Sequence, residues 1–204
     1  MIRSLFLMCM FLNSCSGIPV QFYEEFFAST KSIFVSSNLD SSKVFYDNSK
    51  YSYATISIGS SPQSVIVLSS VDDDIYEWVS EDGVLIYTHQ GKIIRTIGLL
   101  YDSTFFGSTP IWTDGFVNNI QLDLYNPDAL SLMGRQYITY SGTELTDYLG
   151  KPSVTEKYIE TTVIDAIKWK AVNEYSLSKN GLVIRTSQKI HPYLPKIELQ
   201  YFLK

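Results

Sequence analysis

Apolar and polar residues alternate with a period of two along most of the chain after residue 50. Residues 54–58 (ATISI) alternate strictly, and residues 64–71 (SVIVLSSV) form a nearly continuous apolar run of strand length. Alternate side chains of a β-strand point to opposite faces of its sheet, so these patterns predict half-buried and fully buried strands. Further strands are predicted at residues 75–80, 84–89, 92–98, 115–124, 135–145, 157–169, 174–179, 182–188 and 197–203.

Short turn sequences separate the predicted strands. Asp82-Gly83 and Gln90-Gly91 each join two strands, and Asn180-Gly181 predicts a hairpin with a type I′ turn. Asp72-Asp73-Asp74 is predicted as a solvated turn, because no further calcium-binding spacing follows it. Strands joined in this way pair as an antiparallel meander.

Two segments depart from the β pattern. Residues 38–52 are polar and are predicted to be irregular, and Asn126-Pro127-Asp128 predicts a short helical turn that ends at Gly134. The chain has no strand–helix–strand rhythm. About ten short strands therefore predict one mainly β domain, an antiparallel meander or barrel-like fold, with a sandwich as the open alternative. The strands lack the aromatic girdles and even spacing of a transmembrane barrel, so a soluble domain is predicted.

The N-terminus has the pattern of a lipoprotein signal peptide. A basic start at Arg3 precedes the apolar run Leu5–Leu12, which is far shorter than the roughly 20 residues of a membrane-spanning helix. The run ends in Leu12-Asn13-Ser14-Cys15, which resembles a bacterial lipobox. The prediction is a signal peptide at 1–14, a lipidated tether at 15–19 and a single β-rich domain at 20–204. An ordinary cleaved signal or an uncleaved anchor is the alternative.

Cys15 is the predicted lipid attachment residue, since a thiolate is the nucleophile that accepts the diacylglycerol. A protein of this kind carries acyl chains such as palmitate, and several chains together anchor it permanently. Ser16 follows the cysteine where an Asp would favour retention in the inner membrane, so the outer membrane is predicted. Residues 20–35, which are rich in Phe on one face, are predicted to form an amphipathic helix that packs onto the domain; lying on the bilayer is the alternative.

Composition narrows the chemistry. The formal net charge is −5, and no run of Lys or Arg stands out, which argues against a nucleic-acid partner. Cys9 lies in the signal and Cys15 at the anchor, so the folded part has no thiol for a metal site or a nucleophile. His89 and His191 are predicted as exposed turn or edge residues. No nucleotide-binding or hydrolase motif is present, so no catalytic residue, metal or cofactor is predicted.

Six residues are candidate contacts for a glycan or a protein partner, namely Trp78, Arg95, Trp112, Arg135, Trp169 and Arg185. Each Trp offers an aromatic face, and a buried core position is its alternative. Arg95 and Arg185 each lie four residues after a turn glycine, in IIRT and VIRT. Period-two alternation places Arg95 beside Ile93 and Ile97, and Arg185 beside Val183 and Ser187. There, each Arg could snorkel, pair with a buried carboxylate or reach a ligand.

Two stretches carry a family resemblance. Residues 53–99 contain PQSVIVLSSVDDDIYEWVSEDGVLIYTHQGKIIRTIGL, and residues 173–204 contain NEYSLSKNGLVIRTSQKIHPYLPKIELQYFLK, with Gly181, Arg185, Ser187-Gln188 and Pro192 at matching positions. With the lipobox, these stretches resemble the YjbF/GfcB family of capsule and exopolysaccharide lipoproteins. The family has a Trp near Ser176 or Leu177, which this chain lacks. The resemblance implies an outer-membrane lipoprotein encoded with polysaccharide export machinery, a barrel-like β fold and no established enzyme activity.

The expected function is therefore that of a non-enzymatic accessory lipoprotein of capsule or exopolysaccharide assembly or export. It would be held in the bilayer by Cys15 and would bind glycan or an export protein at the periplasmic face of the outer membrane. One alternative is a glycan-modifying hydrolase or lyase, because two catalytic carboxylates need not be close in sequence. A purely structural periplasmic scaffold is the other alternative.

Overall fold

The computed structural model describes residues 39–108 and 111–204, with side chains from residue 43 onward. In this part of the chain, twelve antiparallel strands close into a barrel in which each strand pairs with its neighbours in sequence and β1 pairs with β12. The strands are β1 (Tyr53–Ile58), β2 (Ser64–Asp72), β3 (Ile75–Ser80), β4 (Leu85–His89), β5 (Lys92–Ile97), β6 (Ser103–Phe106), β7 (Val117–Leu124), β8 (Ala129–Tyr148), β9 (Lys151–Ile164), β10 (Trp169–Leu177), β11 (Val183–Gln188) and β12 (Ile197–Phe202). The predicted mainly β, barrel-like fold is confirmed, and the alternative of a sandwich is wrong.

The inward-facing side chains fill the barrel. Ala54 and Ile56 of β1 and Leu199 and Tyr201 of β12 face the interior at alternate positions and are all buried. Closure pairs the first strand with the last, from Tyr53↔Phe202 to Ile58↔Ile197. Closing the sheet removes its exposed edges, which would otherwise offer unpaired backbone groups to other chains.

Two-residue turns with positive φ at both positions join three of the hairpins. They are Asp73-Asp74 (φ 46 and 64), Gln90-Gly91 (φ 47 and 79) and Leu149-Gly150 (φ 56 and 71). Type I′ turns of this kind match the right-handed twist of the paired strands. The hairpin predicted at Asn180-Gly181 is present, but its predicted turn type is wrong. Only Gly181 has a positive φ (80), and Ser178 N donates to the Leu182 carbonyl across a longer loop.

The β4–β5 hairpin leans into the barrel. Its second strand pairs with β6 only at Arg95↔Thr104. Gln188 Nε2 and the Tyr201 hydroxyl both donate to the carbonyl of Gly91, at 2.9 and 3.0 Å. The backbone N–H of Ile93 donates to Gln188 Oε1 at 2.9 Å. These bonds tie the hairpin tip to β11 and β12 across the lumen.

A second core lies on the outer face of β1, β2 and β12. The Tyr53 and Phe202 rings stack with centroids 4.7 Å apart, and Phe45 meets Tyr53 edge-on at 4.7 Å. Phe45 belongs to a helix, α1 (Leu39–Asn48). The tip of the long β8–β9 hairpin adds Tyr148, whose ring stacks on Phe202 at 5.6 Å. The helix and the hairpin therefore cover this part of the barrel from outside.

Three local predictions are wrong. Residues 38–52 were expected to be irregular, but α1 forms there, because Phe45 and Tyr46 find a buried face to pack on. The helical turn expected from Asn126 to Gly134 is instead a turn followed by β8 from Ala129, where tertiary pairing overrides the local signal. The strand expected over residues 157–169 is divided, since a 3-10 helix at Asp165–Ile167 separates β9 from β10. The four-residue β6 was missed.

Several predictions fall outside the described residues: the signal peptide, the lipidated tether with Cys15, and the amphipathic helix at residues 20–35. Within the described residues, no helix has the length and apolar character needed to cross a bilayer.

Candidate functional site: a cleft at the mouth of the barrel

A cleft of about 430 Å³ opens at one end of the barrel, between the β4–β5 turn and the β10–β11 turn. Because the strands run up and down, the Asp73-Asp74, Gln90-Gly91 and Asn180-Gly181 turns all lie at this end. We call this end the mouth. The polar and aromatic residues that line the cleft are Asp74, Tyr76, Thr88, Gln90, Asn180 and Tyr201. Its volume falls within the range of small-molecule sites, roughly 300–1,000 Å³.

Buried hydrogen bonds hold the floor of the cleft. Trp78 Nε1 donates to Thr88 Oγ1 at 2.8 Å, and the Trp78 ring lies 5.4 Å from the Tyr201 ring. Burial raises the pKa of Tyr201 above its ordinary value, so its hydroxyl stays protonated and keeps its bond to the Gly91 carbonyl. Floor groups fixed in this way lose little conformational freedom when a ligand binds.

The rim is polar and carries one charged side chain. Asp74 supplies a carboxylate, and Gln90 and Asn180 supply amides that both donate and accept hydrogen bonds. Leu182 and Val183 add apolar surface, and no Lys or Arg is among the lining residues. Amides, hydroxyls and tyrosine rings together suit a neutral ligand that has many hydroxyl groups.

A buried ion pair lies in the barrel beside the cleft. Lys92, the residue after the cleft-lining Gly91, reaches Glu160 of β9 with 2.9 Å between Nζ and Oε2. Asn173 Nδ2 donates to the other Glu160 oxygen at 2.9 Å. Burial lowers the pKa of Lys92, while the Glu160 carboxylate opposes that shift. This pair fixes the β4–β5 turn, and with it one wall of the cleft.

The three candidate tryptophans lie away from the cleft surface. Trp78 is fully buried behind its floor. Trp112 is half-buried, with its ring 4.2 Å from Tyr175. Trp169 is half-buried against the cluster that contains Leu122 and Ile164. Trp78 thus takes the core position that was its alternative, and its part in the cleft is to support Thr88 and Tyr201.

The three candidate arginines are exposed on the outer face. Arg135 lies 3.5 Å from Asp165, and Arg185 lies 3.6 Å from Glu198, in both cases at the surface. Arg95 lies over the Tyr87 ring at 5.7 Å. A buried carboxylate partner was one of the options for Arg95 and Arg185; Arg185 instead pairs with an exposed carboxylate, and Arg95 lies over a tyrosine ring. Among the described residues, none of the six candidates forms a hydrogen bond, ion pair or ring contact with another.

The predicted face of two arginines is partly wrong. Bulges in the β4–β5 and β10–β11 pairings insert one extra residue between Ile93 and Arg95 and between Val183 and Arg185. A single inserted residue moves the following side chains to the opposite face. Ile93 and Val183 therefore face the core, whereas both arginines face solvent.

The prediction for His191 is also wrong. Its side chain is buried and stacks on Tyr101, with ring centroids 5.2 Å apart, and Nδ1 accepts a hydrogen bond from the N–H of Tyr193. His89 is half-buried at the end of β4. The solvated turn predicted at residues 72–74 is confirmed, since all three Asp side chains are exposed.

Sequence reasoning missed the cleft itself. The turns at Gln90 and Asn180 were recognised, but they are 90 residues apart, and nothing in their local pattern shows that they meet. Lys92 and Glu160 were missed for the same reason. A lysine followed by two isoleucines in a strand was the available signal for an inward-facing charge.

A comparison with protein families gives a match to the family described as YjbF, group 4 capsule polysaccharide lipoprotein GfcB, over residues 30–107. The resemblance to the YjbF/GfcB family is confirmed. The matched residues include β1 to β6 and the β4–β5 hairpin that forms one wall of the cleft. Residues 30–107 are therefore similar to a family of capsule polysaccharide lipoproteins.

The fold has a counterpart among solved structures. The crystal structure of the hypothetical lipoprotein YmcC from Escherichia coli (K12) matches with a TM-score of 0.71, covering 87% of this chain and 94% of that chain. The two sequences are 17% identical, so this similarity concerns the fold alone. No curated protein matches the sequence.

Proposed function

We propose that the protein is a non-enzymatic accessory lipoprotein of capsule or exopolysaccharide assembly or export. It is held at the periplasmic face of the outer membrane by acyl chains, palmitate among them, on Cys15. There it binds glycan or a secretion partner. The observation that carries this proposal is the family match over residues 30–107.

The lining of the cleft supports binding rather than catalysis. Glycosidases use a pair of carboxylates that face each other across the bond to be cleaved, roughly 5 to 10 Å apart. Asp74 is the one carboxylate among the residues that line this cleft. The cleft therefore has groups that hold a ligand, but it lacks the second carboxylate of a hydrolase.

Deletion of the gene tests the proposal in the cell. Surface polysaccharide is extracted from the deletion strain and its parent, and both its amount and its chain length are measured. The proposal expects less polymer or an altered length distribution, with recovery when the gene is returned on a plasmid. Unchanged polymer in both measurements would contradict it. Accumulation of longer polymer, together with cleavage of that polymer by the purified protein, would favour the hydrolase alternative.

A further inference from the structure

The cleft at the mouth of the barrel has a composition that selects among sugars. Four of its lining residues come from four different strands or turns: Tyr76 from β3, Thr88 from β4, Gln90 from the β4–β5 turn and Asn180 from the β10–β11 turn. A site assembled from four separate elements keeps its shape only while the barrel is closed. It is therefore a feature of the whole fold rather than of one loop.

The charge of the cleft is its distinguishing property. Asp74 is the single charged side chain in the lining, and neither Lys nor Arg is present to neutralise an acidic ligand. Phosphate and carboxylate ligands are usually held by Arg or Lys side chains or by helix N-termini. Here, a carboxylate or phosphate on the ligand would approach the exposed Asp74 carboxylate at the rim of the cleft, and like charges repel.

The remaining groups match the two kinds of surface on a sugar ring. Hydroxyl groups of a sugar can bond to the amides of Gln90 and Asn180, which donate and accept. The apolar C–H face of a sugar can lie against the half-buried Tyr76 ring or the Leu182 side chain. A purely apolar ligand would leave these amides without partners, which costs free energy.

We infer that the cleft binds a short stretch of uncharged or amino sugar and discriminates against uronic acid and phosphorylated sugars. This inference rests on the proposed role in polysaccharide handling and names the ligand class of that site. Asp74 gives the discrimination, because it repels an acidic sugar and can pair with a protonated amino sugar. Tyr76 and the amides of Gln90 and Asn180 give affinity for the ring and its hydroxyl groups.

Binding of defined trisaccharides to the mature lipoprotein, extracted in detergent, tests the inference by calorimetry. Cellotriose and N,N′,N″-triacetylchitotriose are the uncharged probes, and trigalacturonate is the acidic probe of matched length. The expected result is saturable binding of at least one uncharged probe and at least tenfold weaker binding of trigalacturonate. Failure of both uncharged probes to bind, or equal or tighter binding of trigalacturonate, overturns the inference.

Two variants locate the binding, and one matched control accompanies them. Leu182→Trp fills the cleft, whereas Val172→Trp places the same side chain on the outer face of β10; the two parent residues are each 40% exposed. Leu182→Trp should weaken binding at least tenfold, and Val172→Trp should leave it unchanged. Asp74→Asn keeps a residue that tolerates the positive φ of 64 and should reduce the discrimination against trigalacturonate. Binding that survives Leu182→Trp, or discrimination unaffected by Asp74→Asn, contradicts the assignment to this cleft.

The outcomes separate this inference from the proposed function. A deletion strain with defective capsule, from a protein that binds none of the three probes, overturns the sugar assignment and leaves the role in capsule formation. Normal capsule in the deletion strain, with a protein that binds uncharged trisaccharides at the cleft, overturns the role in capsule formation and leaves the sugar assignment.

Discussion

Lys92 and Glu160 form an ion pair inside the barrel, with 2.9 Å between Nζ and Oε2 and side chains that are 7% and 1% exposed. They are 68 residues apart in sequence and join the tip of the β4–β5 hairpin to β9. Two charges withdrawn from water are stabilising only if each keeps its partner, because an unpaired buried charge is costly. The pair therefore holds the hairpin in its inward position.

Removal of one charge should be more damaging than removal of both. Lys92→Met leaves Glu160 buried and unpaired, and we expect it to lower the free energy of unfolding by about 3–5 kcal/mol. The double variant Lys92→Met, Glu160→Gln should recover much of this loss. Urea unfolding followed by circular dichroism measures both. Arg185→Met, which breaks an exposed pair, is the control and should cost at most about 1 kcal/mol. Equal losses in the single and double variants would show that the pair does not act as a unit.

Gly91 should be required for its lack of a side chain as well as for its backbone conformation. An added Cβ would lie 2.5 Å from Val183 Cγ1, and its φ is +79. Gly83 has a similar φ of +83 but nothing within 4 Å of an added Cβ. Gly83→Ala thus reports backbone strain alone, about 1–2 kcal/mol, and Gly91→Ala should lose clearly more stability.

The second variant needed for this test is Gly91→Ala, Val183→Gly. It removes every Val183 side-chain atom that an added Cβ would meet, the Cβ included, so it should be less destabilised than the sum of the two single variants predicts. Thermal unfolding of the four variants gives the comparison. Equal destabilisation by Gly91→Ala and Gly83→Ala would contradict the close contact between the Gly91 backbone and the Val183 side chain of β11.

Stability should fall above pH 10 because of buried tyrosines. Burial raises the pKa values of Tyr175 and Tyr201 above the ordinary value. In the unfolded chain these phenols ionise near pH 10, whereas in the folded protein they keep their protons. The folded state then binds more protons, so each such tyrosine lowers the free energy of unfolding by up to about 1.4 kcal/mol per pH unit above pH 10.

Chemical unfolding at pH values from 9 to 11.5 measures this slope. Tyr201→Phe should start from a lower stability, since the bond to the Gly91 carbonyl is lost, but should decline less steeply with pH. Burial lowers the pKa of Lys92, so this residue raises the free energy of unfolding as the pH rises towards the ordinary pKa of lysine. The contribution of Lys92 is the same in wild type and Tyr201→Phe. Parallel pH profiles for wild type and Tyr201→Phe would refute the raised pKa of Tyr201 in the folded protein.

The local sequence pattern predicts most of the strands and turns, but it does not predict the closure of the barrel or the cleft at its mouth. Ala54 and Ile56 alternate with Thr55 as a strand should, and Gln90-Gly91 forms the turn that its residues favour. Closure of β1 on β12 depends on residues about 150 positions apart, which no local window contains. The cleft depends on the same long-range pairing.

Single-residue bulges are the other reason why the sequence alone does not predict which face a side chain occupies. Strict alternation would place Arg95 on the same face as the buried Ile93. Arg95 faces solvent instead, because a bulge puts one extra residue between them. The helix α1 was missed because its stability comes from the buried face under Phe45 rather than from its own sequence.

Cys15 should be the residue on which membrane attachment depends. Cys15→Ala should abolish labelling by a palmitate analogue and leave an uncleaved precursor. Cys9→Ala is the matched control and should leave labelling and processing unchanged, because Cys9 lies within the predicted signal peptide, before the cleavage position. Mass spectrometry of the native N-terminal peptide gives the direct readout. A mature protein with an unmodified Cys15 would contradict the lipid anchor.

The central claim, that the protein serves capsule or exopolysaccharide formation through ligand binding at the cleft, is tested most directly by complementation. A deletion strain receives the wild-type gene, Leu182→Trp or Val172→Trp, and the amount of surface polysaccharide is measured at matched protein levels. Wild type and Val172→Trp should restore the parental amount, whereas Leu182→Trp should not. A deletion strain with the parental amount of polymer, or full restoration by Leu182→Trp, would contradict the claim.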